Sequence, residues 1–507
     1  MRASVLSDWL AQRLDRGSGQ PIYRQLHGLL QHAILSRELP AGTKVPSSRL
    51  LAAELGVGRN TVTQVYEQLA LEGYVSSATG RGTFVADSAP DEIVFDEAPA
   101  RIEAAPAVLS ARGERLIEGA GVSKRQGGAF MPGVPDVSRF PARVWSRLHA
   151  KYWRRLRPDL LTYAPGGGLA SLRHALADYL RTSRSVRCSP EQIIVTTGIH
   201  QSIDLAVRLL SDAGDTIWTE DPCYWGVRSV LTVSGLDLKA IPVDEEGIAP
   251  SADDLANPPK LMLVTPSHQY PLGGVMPYRR RVALLDWAAR ADAWIVEDDY
   301  DSEFRFAGRP LEALKALDEQ RRVLYVATCS KVMFPALRIG YAVVPPALVE
   351  PLVRAKAIAD GGSPVLEQDA LADFIGSGDF ERHLRRSRTR IGARRAALLA
   401  ALAHELGDAV EVCGANAGMH LVAWLRDVPA AQVGALCRAA AEVGVGLYPV
   451  SPFYDAPPPR AGLLLGYAAL EERDIRIGVE RLARLVSQRR DTRVGRQGRQ
   501  RRTALLR

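Results

Sequence analysis

The 507-residue sequence has only five cysteines, and no two of them form a C-x-x-C pair. Their odd number and wide spacing argue against a disulfide framework and against a zinc site, so we expect reduced thiols and no bound metal. The sequence also lacks an apolar run of the ~18 residues needed to cross a membrane, and it lacks the basic and apolar regions of a signal peptide. These absences predict a cytoplasmic protein with no membrane partner.

Composition excludes bulk disorder, since hydrophobic residues make up 47% of the chain and charged residues 24%. This length predicts two or three domains. The net charge of +7 is concentrated at the ends, because residues 481–507 carry ten Lys/Arg against one Asp/Glu and residues 1–86 carry nine against six. Basic ends indicate an anionic partner such as DNA, although a basic tail is also typical of a solvated, disordered segment.

Residues 20–86 are predicted to form a helix-turn-helix. An apolar stripe in residues 20–38 indicates a first helix, which "LPAGTKVPSS" ends. Ser47 or Ser48 can cap the next helix, "SRLLAAELG", and Gly56 ends it. A helix that begins at "RNTV" follows, and "SSATGRGTFVAD" then forms a short hairpin, or wing. Such a helix presents its first side chains to base edges in the major groove of DNA.

The stretches "IYRQL", "LPAGTKVPSSRLLAAELGVGRNTV" and "GRGTFV" resemble the winged helix-turn-helix of GntR-type regulators. The resemblance implies operator DNA as a partner and the following contacts: Ser48 to phosphate, and Arg49, Arg59, Asn60, Thr61 and Arg81 to DNA. Gly58 stands where the family often has serine, which puts a helix cap or a phosphate contact in doubt. The alternative is a three-helix fold whose arginines are ordinary surface charge.

The remainder of the chain predicts a connector followed by an α/β domain. Residues 1–19 are an N-terminal extension, and residues 87–128 lack a sustained period, as a mobile connector does. In residues 129–486 apolar runs such as "IIVTT", "TIWTE", "LMLVTP", "AWIVEDD" and "VLYVATCS" alternate with helical segments such as "HQSIDLAVRLLSDA" and "RRRVALLDWAARA". This alternation predicts a mostly parallel sheet covered by helices. Residues 487–507 are a basic tail.

Functional side chains in such a sheet are expected where strands end. The stretch "VTTGIH" places Gly198, Ile199 and His200 at the start of a helix, where backbone N–H groups can bind an anion. A glycine before a helix is, however, more often just a turn. Tyr224 in "EDPCYW" follows another strand, where its ring can stack on a flat cofactor or simply belong to the core.

Two further strands end in a carboxylate and a lysine. Asp298 lies near the end of the apolar strand in "IVEDDYD", where a carboxylate is costly unless it pairs with a cation such as a protonated pyridine nitrogen. Lys331 follows the strand in "VATCSK", and a buried lysine with a lowered pKa forms Schiff bases with aldehydes. Together they predict a pocket for pyridoxal 5'-phosphate, with its phosphate held by Gly198, Ser330 and Arg338 and with Thr328 as a further cofactor-binding residue.

Residues 130–486 resemble fold-type-I aminotransferases through "MPGVPDVSRFP", "LTYAPGGGLASLRHALADYL", "TPSHQYPLGGVMP", "EDDYDSEFRF" and "SKVMFPALRIGY". Together with the N-terminal module, this makes the chain similar to MocR-type regulators, in which a GntR-like winged helix is fused to an aminotransferase-like domain. The resemblance implies that Lys331 binds the cofactor covalently, that Asp298 pairs with its pyridinium, and that Tyr300 lies near its phenolic oxygen. It also makes Tyr163 a candidate to reach the phosphate of the neighbouring subunit in a homodimer.

Two positions depart from the aminotransferase pattern. Tyr270 precedes "PLG" where many aminotransferases have asparagine, and the nearby His268 either substitutes as a hydrogen-bond donor to the cofactor or is a structural histidine. Leu464 in "GLLLGYA" stands where many relatives have an arginine for the substrate carboxylate. Arg460, four residues earlier, is the one candidate to replace it.

We therefore interpret the chain as a winged helix-turn-helix joined to an α/β fold-type-I aminotransferase-like domain. As a function, we predict a pyridoxal-phosphate-dependent transcriptional regulator that senses the cofactor, an amine effector, or both. An active aminotransferase with an accessory DNA-binding domain is the first alternative, with Lys331 as its proton carrier. A cofactor-free scaffold is the second.

Overall fold

The computed structural model describes residues 3–78, 81–86, 108–120, 130–155, 158–306, 312–458 and 460–504. The chain divides into two compact units, Met1–Val108 and Leu109–Arg507. The boundary between them falls inside the predicted connector. Residues 87–107 and 121–128 of that connector lie outside the described residues.

The N-terminal unit is the predicted winged helix-turn-helix with one additional helix. Its elements are α1 (Ala3–Arg13), α2 (Ile22–Leu35), α3 (Ser48–Leu55), α4 (Arg59–Leu71), β1 (Val75–Ala78) and β2 (Gly82–Val85). The two strands form an antiparallel hairpin. The apolar stripes of α2 and α4 face one core, which includes Leu26, Leu30, Val62, Val65 and Leu69.

We predicted no helix in the N-terminal extension, but its first residues form α1. Leu6 and Leu10 of α1 are buried in the same core as the helix-turn-helix. Arg16, just after α1, donates from Nη2 to the Leu55 carbonyl oxygen at 2.6 Å, which satisfies a carbonyl at the end of α3. The extension is therefore part of the domain.

The helix ends show which serine caps α3 and that α4 lacks a cap of this kind. Ser47 Oγ accepts a hydrogen bond from the Leu50 amide at 3.2 Å, so Ser47 is the N-cap and Ser48 is the first helical residue. Gly58 is the N-cap residue of α4 and gives no side-chain cap. The missing helix cap anticipated at Gly58 is thus confirmed.

We expect Gly58→Ser to stabilise α4. Gly58 has φ −63° and ψ 137°, which serine adopts without strain, and an added Cβ would meet only Thr61 Oγ1, at 3.5 Å. A new cap and a less flexible unfolded chain should together raise the free energy of opening by about 0.5–1 kcal/mol. Hydrogen exchange of the α4 amides in the intact protein measures this. As a control, Gly73→Ser should accelerate exchange, because Gly73 has φ +82°.

The large unit is built on an eight-stranded sheet in the order β3-β10-β9-β8-β7-β4-β5-β6. Its strands are β3 (Ile193–Thr196), β4 (Thr216–Asp221), β5 (Asp237–Asp244), β6 (Gly247–Ile248), β7 (Leu261–Val264), β8 (Trp294–Asp299), β9 (Val323–Thr328) and β10 (Gly340–Val343). All five apolar runs singled out above are strands. The central strands are parallel, as predicted, whereas β10 runs antiparallel to both neighbours and β6 runs antiparallel to β5.

A second, antiparallel sheet has the order β11-β12-β14-β13 and contains β11 (Val410–Cys413), β12 (His420–Leu425), β13 (Tyr448–Pro449) and β14 (Ala461–Gly466). The helices of the unit are α5 (Ala111–Ala120), α6 (Ala142–Arg154), α7 (Ala170–Arg184), α8 (Ile199–Leu210), α9 (Trp225–Val233), α10 (Ala252–Ala256), α11 (Tyr278–Arg290), α12 (Val349–Asp360), α13 (Val365–Gly376), α14 (Asp379–Glu405), α15 (Val433–Glu442) and α16 (Glu472–Ala504). Both helices predicted from the sequence, α8 and α11, are present. Buried side chains from both sheets form the apolar cores.

Two segments predicted as irregular contain helix. Ala111–Ala120 of the connector form α5, which contacts α9. The backbone of α16 continues through residue 504 of the predicted basic tail. Within the described ranges, every helix is too short or too polar to span a bilayer.

Candidate functional site

The predicted DNA contacts lie on three segments of the N-terminal unit. Arg59 and Asn60 are exposed and Thr61 is half-buried in the first turn of α4. Ser48 and Arg49 open α3, and Arg81 is exposed in the turn between β1 and β2, where its amide donates to the Ala78 carbonyl at 3.0 Å. These positions match the parts of a winged helix-turn-helix that approach DNA.

In the large unit a cavity of about 320 Å³ lies where β3, β4, β8 and β9 end and β10 begins. Ten predicted cofactor residues line it: Gly198, Ile199, His200, Tyr224, Asp298, Tyr300, Thr328, Ser330, Lys331 and Arg338. The other two do not. His268 is buried behind Tyr300, and Tyr163 is 91% exposed outside this cavity.

The strand register explains why these residues meet. Gly340, the first residue of β10, is paired with Thr196 at the end of β3 and with Thr328 at the end of β9. A Cβ at Gly340 would lie 2.7 Å from Gly198 Cα and 2.9 Å from the Ala327 carbonyl oxygen, so only glycine allows this approach. The antiparallel β10 thereby delivers Arg338, two residues before it, to the Gly198 turn.

Lys331 follows β9 and points its amine into the cavity wall. Its Nζ donates to the Gly133 carbonyl oxygen at 2.9 Å. Burial lowers the pKa of Lys331, while the carboxylates of Asp301 and Asp298 act in the opposite direction. A lowered pKa increases the fraction of neutral amine, which is the nucleophilic form.

Asp298 differs from the carboxylate beside it. Asp299 accepts from Arg184 Nε and from the Tyr325 hydroxyl, each at 2.7 Å, which makes it a structural ion pair. Asp298 is buried, and its Oδ1 has no hydrogen-bond partner among the described residues. Burial, with a further contribution from Asp299, raises the pKa of Asp298 to about 8. A cationic donor inside the cavity is what this carboxylate needs.

The opposite end of the cavity supplies groups for an anion. Gly198 is the N-cap residue of α8, with φ +130°, and an added Cβ would lie 3.1 Å from Arg338 Nη2. Ile199 and His200 form the first turn of α8, where amides lack intrahelical acceptors. Ser330 Oγ is buried and has no partner within the described ranges. Burial, aided by Arg338, lowers the pKa of His200, so its ring is neutral at neutral pH.

These groups fit pyridoxal 5'-phosphate. Lys331 would hold the aldehyde carbon, Asp298 the ring nitrogen, and the Gly198 turn with Ser330 and Arg338 the phosphate. Tyr224 contributes an aromatic wall, with its ring stacked on His200 at 5.7 Å between centroids. When bound, the cofactor supplies an electron sink for amines attached to it. The protein residues hold and orient it and keep an amine next to the reacting carbon.

Several lining residues escaped sequence reasoning. They come from three separate parts of the chain: Met131, Pro132 and Gly133; Trp225; and His420, Tyr448 and Phe453. The stretches "MPGVPDVSRFP" and "EDPCYW" contain the first four of these residues but do not indicate that their side chains line a cavity, and no local motif marks His420, Tyr448 or Phe453. Asp301 is different, since it directly follows Tyr300 in "EDDYD" and also lines the cavity. A carboxylate so close to the predicted cofactor residues Asp298 and Tyr300 is a sequence signal by which Asp301 could have been assigned to the cavity.

Comparison with known proteins agrees with both halves of the chain. Residues 138–482 match the family described as Aminotransferase class I and II, and residues 22–85 match Bacterial regulatory proteins, gntR family. The alpha-aminoadipate aminotransferase LysN from Thermus thermophilus has a similar structure, with a TM-score of 0.65 and 30% identity over 73% of this chain and 97% of LysN. Pyrococcus horikoshii kynurenine aminotransferase gives a TM-score of 0.66 and 26% identity over 75% of this chain and 95% of its own.

Two regulators are similar over nearly the full length. The "Probable rhizopine catabolism regulatory protein MocR" of Rhizobium meliloti is 41% identical over 92% of this chain and 94% of its own length. The pyridoxine biosynthesis transcriptional regulator PdxR of Corynebacterium glutamicum is 34% identical over 89% of this chain and 93% of its own. Aminotransferases of class I and II use pyridoxal 5'-phosphate, the cofactor that the cavity fits. The chain therefore belongs to the MocR-type transcriptional regulators, in which a DNA-binding GntR helix-turn-helix is joined to an aminotransferase domain of class I and II.

Proposed function

We propose that this regulator changes its affinity for operator DNA when the cavity around Lys331 binds pyridoxal 5'-phosphate or an amine that lacks an α-carboxylate. The observation that carries the proposal is the presence in one chain of a helix-turn-helix and of a cavity that combines an amine nucleophile, an unpaired carboxylate and an anion site.

The cavity has no arginine for a substrate carboxylate among its described residues. Leu464 is fully buried in β14, opposite Val422 of β12 and Tyr448 of β13. Arg460 does not replace the missing guanidinium. It donates to Glu411 Oε2 at 2.6 Å and its guanidinium lies 5.2 Å from the Trp424 ring centroid.

The remaining basic groups do not offer a carboxylate site. Arg338 lies at the Gly198 turn, where the phosphate is placed. His420 lines the cavity, but burial lowers its pKa well below the usual value and its Nε2 is 3.2 Å from the Pro271 carbonyl oxygen. A neutral imidazole cannot offset the cost of burying a carboxylate, which is several kcal/mol. An amine without an α-carboxylate enters the cavity without that desolvation cost.

We expect common α-amino acids neither to change the visible absorbance of the lysine-bound cofactor nor to alter operator affinity, whereas some amines without an α-carboxylate should do both. A panel of both classes, read by absorbance and by DNA titration, measures this. Arg460→Ala is the matched control and should behave like the parent protein. Rapid conversion by an α-amino acid that is lost in Arg460→Ala would show that Arg460 is the carboxylate anchor.

Arg59→Ala should weaken binding to the operator more than binding to random DNA. Arg59 is exposed at the first position of α4, where a side chain reaches base edges. Loss of a base contact costs about 1–3 kcal/mol, a 5- to 150-fold rise in Kd. Titration of DNA from upstream of its own gene against a scrambled sequence measures the difference. Arg24→Ala, an exposed arginine on α2 beside the Tyr23 ring, is the control. Equal losses on both DNAs would make Arg59 a phosphate contact only.

A homodimer is part of the proposal. Tyr163 and Ile358 are 91% and 89% exposed, and Leu161 beside Tyr163 is also exposed, so the large unit presents apolar side chains that a second copy can cover. Tyr163 would then reach the phosphate site of the other subunit. Two linked helix-turn-helix domains gain affinity for paired half-sites. Light scattering at micromolar concentration should give twice the monomer mass, and a monomer would contradict this.

A catalytic role is the alternative, and the complete Lys331, Asp298 and Tyr300 arrangement favours testing it. Sustained turnover of an amine donor with a keto-acid acceptor would establish transamination. A single conversion without turnover would fit a sensor.

A further inference from the structure

One nitrogen of His268 lies against two oxygen atoms. Nδ1 is 2.8 Å from the Tyr300 hydroxyl and 3.0 Å from Asp301 Oδ1. An imidazole nitrogen carries either a hydrogen or a free lone pair, so it cannot donate to Asp301 and accept from Tyr300 at the same time. Whether Nδ1 donates to Asp301 or accepts from Tyr300 therefore determines the direction in which the Tyr300 hydroxyl hydrogen points.

The hydrogen on His268 Nδ1 is donated to Asp301. Its side chain is 1% exposed, and its Oδ2 has no hydrogen-bond partner among the described residues. A carboxylate only accepts, so a hydrogen on His268 Nδ1 gives the Asp301 carboxylate its one hydrogen bond within the described ranges. Gly418 closes the pair from one side, because a Cβ there would overlap His268 Cε1 and lie 2.6 Å from Asp301 Oδ2. The carboxylate is therefore held against the ring.

With Nδ1 donating to Asp301, the Tyr300 hydroxyl has no acceptor on His268. Tyr300 lines the cavity, and its ring packs edge-to-face on Tyr270 at 5.5 Å between centroids. Tyr270 occupies the position where many aminotransferases have an asparagine. The hydrogen of Tyr300 is thus left for an acceptor inside the cavity.

We propose that His268 and Asp301 are positioning residues that keep the Tyr300 hydroxyl hydrogen directed at the cavity, where it donates to the phenolic oxygen of pyridoxal 5'-phosphate. The inference rests on the cofactor's place in the site described above. It also answers whether His268 donates to the cofactor or is structural: it acts through Tyr300.

The described groups around the pair include no better competitor for the Nδ1 hydrogen. Tyr467, after β14, donates its hydroxyl to the Gly418 carbonyl oxygen at 2.9 Å. His420 of β12 faces His268 with ring centroids 5.3 Å apart, and its lowered pKa keeps it neutral. Lys331 and Asp298 also face this region, and Asp301 raises the pKa of Lys331 against the effect of burial. Removal of Asp301 therefore has two effects on the cofactor, and the test must separate them.

A double-mutant cycle separates them. The readout is the pH midpoint of the visible absorbance change of the cofactor bound to Lys331 in the full-length protein. A hydrogen bond to the phenolic oxygen stabilises its anion once the adjacent nitrogen has lost its proton, so it lowers the midpoint. Tyr300→Phe should raise the midpoint by about one pH unit.

Asp301→Leu, which keeps the shape of the side chain, loses a negative charge and also frees Nδ1 to accept from Tyr300. The loss of charge lowers the midpoint in both backgrounds, whereas the change at Nδ1 raises it only when Tyr300 is present. We therefore expect the shift caused by Asp301→Leu to be more positive in the parent protein than in the Tyr300→Phe background, by about one pH unit. Equal shifts in the two backgrounds would overturn the inference.

Controls keep the outcomes distinct. Glu303→Gln changes a carboxylate of the same segment that accepts from the Tyr179 hydroxyl at 3.1 Å, and it should give no difference between backgrounds. If Asp301→Leu does not fold, Asp301→Asn should give a smaller difference of the same sign, because its amide can either donate to Nδ1 or accept from it; no difference would again overturn the inference. Absence of any visible band in the parent protein would instead refute the cofactor's place in the site.

Discussion

Lys331→Ala is expected to abolish the visible absorbance that the protein acquires with pyridoxal 5'-phosphate, while the fold is retained. Lys331 supplies the only amine among the described cavity residues, and its Nζ makes one hydrogen bond, to the Gly133 carbonyl oxygen. Removal of an amine in a cavity takes away the covalent bond but little packing. Absorbance titration, with circular dichroism to monitor the fold, measures the result.

Lys356 provides the matched control, since it is a fully buried lysine outside this cavity. Its Nζ donates to Asp360 Oδ2 at 2.8 Å, so it is held as a structural ion pair. Lys356→Met should retain the visible band. Borohydride reduction followed by peptide mapping gives an independent answer, because the modified peptide should contain Lys331. A band that persists in Lys331→Ala would disprove the assignment.

Most of the large sheet could be predicted because its strands are continuous apolar runs bounded by turn residues. The orientation of β10 could not, since "GYAV" is equally apolar whichever way the strand runs. Its direction is fixed by pairing with β3 and β9, far apart in the sequence. Likewise α1 gave no clear helical pattern, and its packing on the helix-turn-helix core, through Leu6 and Leu10, stabilises it.

Most of the cofactor residues that were predicted lie at or just after the end of a strand, inside a recognisable local motif, whereas Arg338 precedes β10 and Tyr163 precedes α7. Among those that were missed, His420 and Tyr448 belong to the second sheet and reach the cavity only through tertiary packing. His268 was predicted as a hydrogen-bond donor to the cofactor or a structural histidine, and its place behind Tyr300 depends on contacts that no sequence pattern encodes. Tyr163 remains a prediction, because its proposed role needs a second subunit.

The regulator and enzyme hypotheses predict different uses of the same cavity. A sensor needs tight, selective binding and a linked change in DNA affinity, whereas an enzyme must also release product. The absence of an arginine at position 464 removes the anchor that orients an amino-acid substrate in many related enzymes. Cofactor affinity is therefore the first quantity to establish for either role. We expect Asp298 to make the largest contribution to it.

Asp298→Ala should raise the Kd for pyridoxal 5'-phosphate by roughly 100-fold or more. The Oδ1 atom of Asp298 is buried without a partner among the described residues, so the ring nitrogen gains an acceptor for which no described neighbour competes. Removal of one member of a buried, charged pair costs about 3–5 kcal/mol, which corresponds to a factor of about 150 to several thousand.

The expected loss of cofactor affinity in Asp298→Ala can be separated from a general effect of removing a carboxylate. Asp221, at the end of β4 in the same sheet, accepts from the Asp455 amide at 2.9 Å and does not line the cavity, so Asp221→Asn should leave the Kd within about threefold. Asp298→Asn should fall between the two, because an amide can hydrogen-bond to the ring nitrogen but cannot stabilise its positive charge. Equilibrium titration with fluorescence or absorbance detection orders the three variants. If Asp298→Ala binds the cofactor as tightly as Asp221→Asn, the ring nitrogen does not face Asp298, and the cofactor is oriented differently in the cavity.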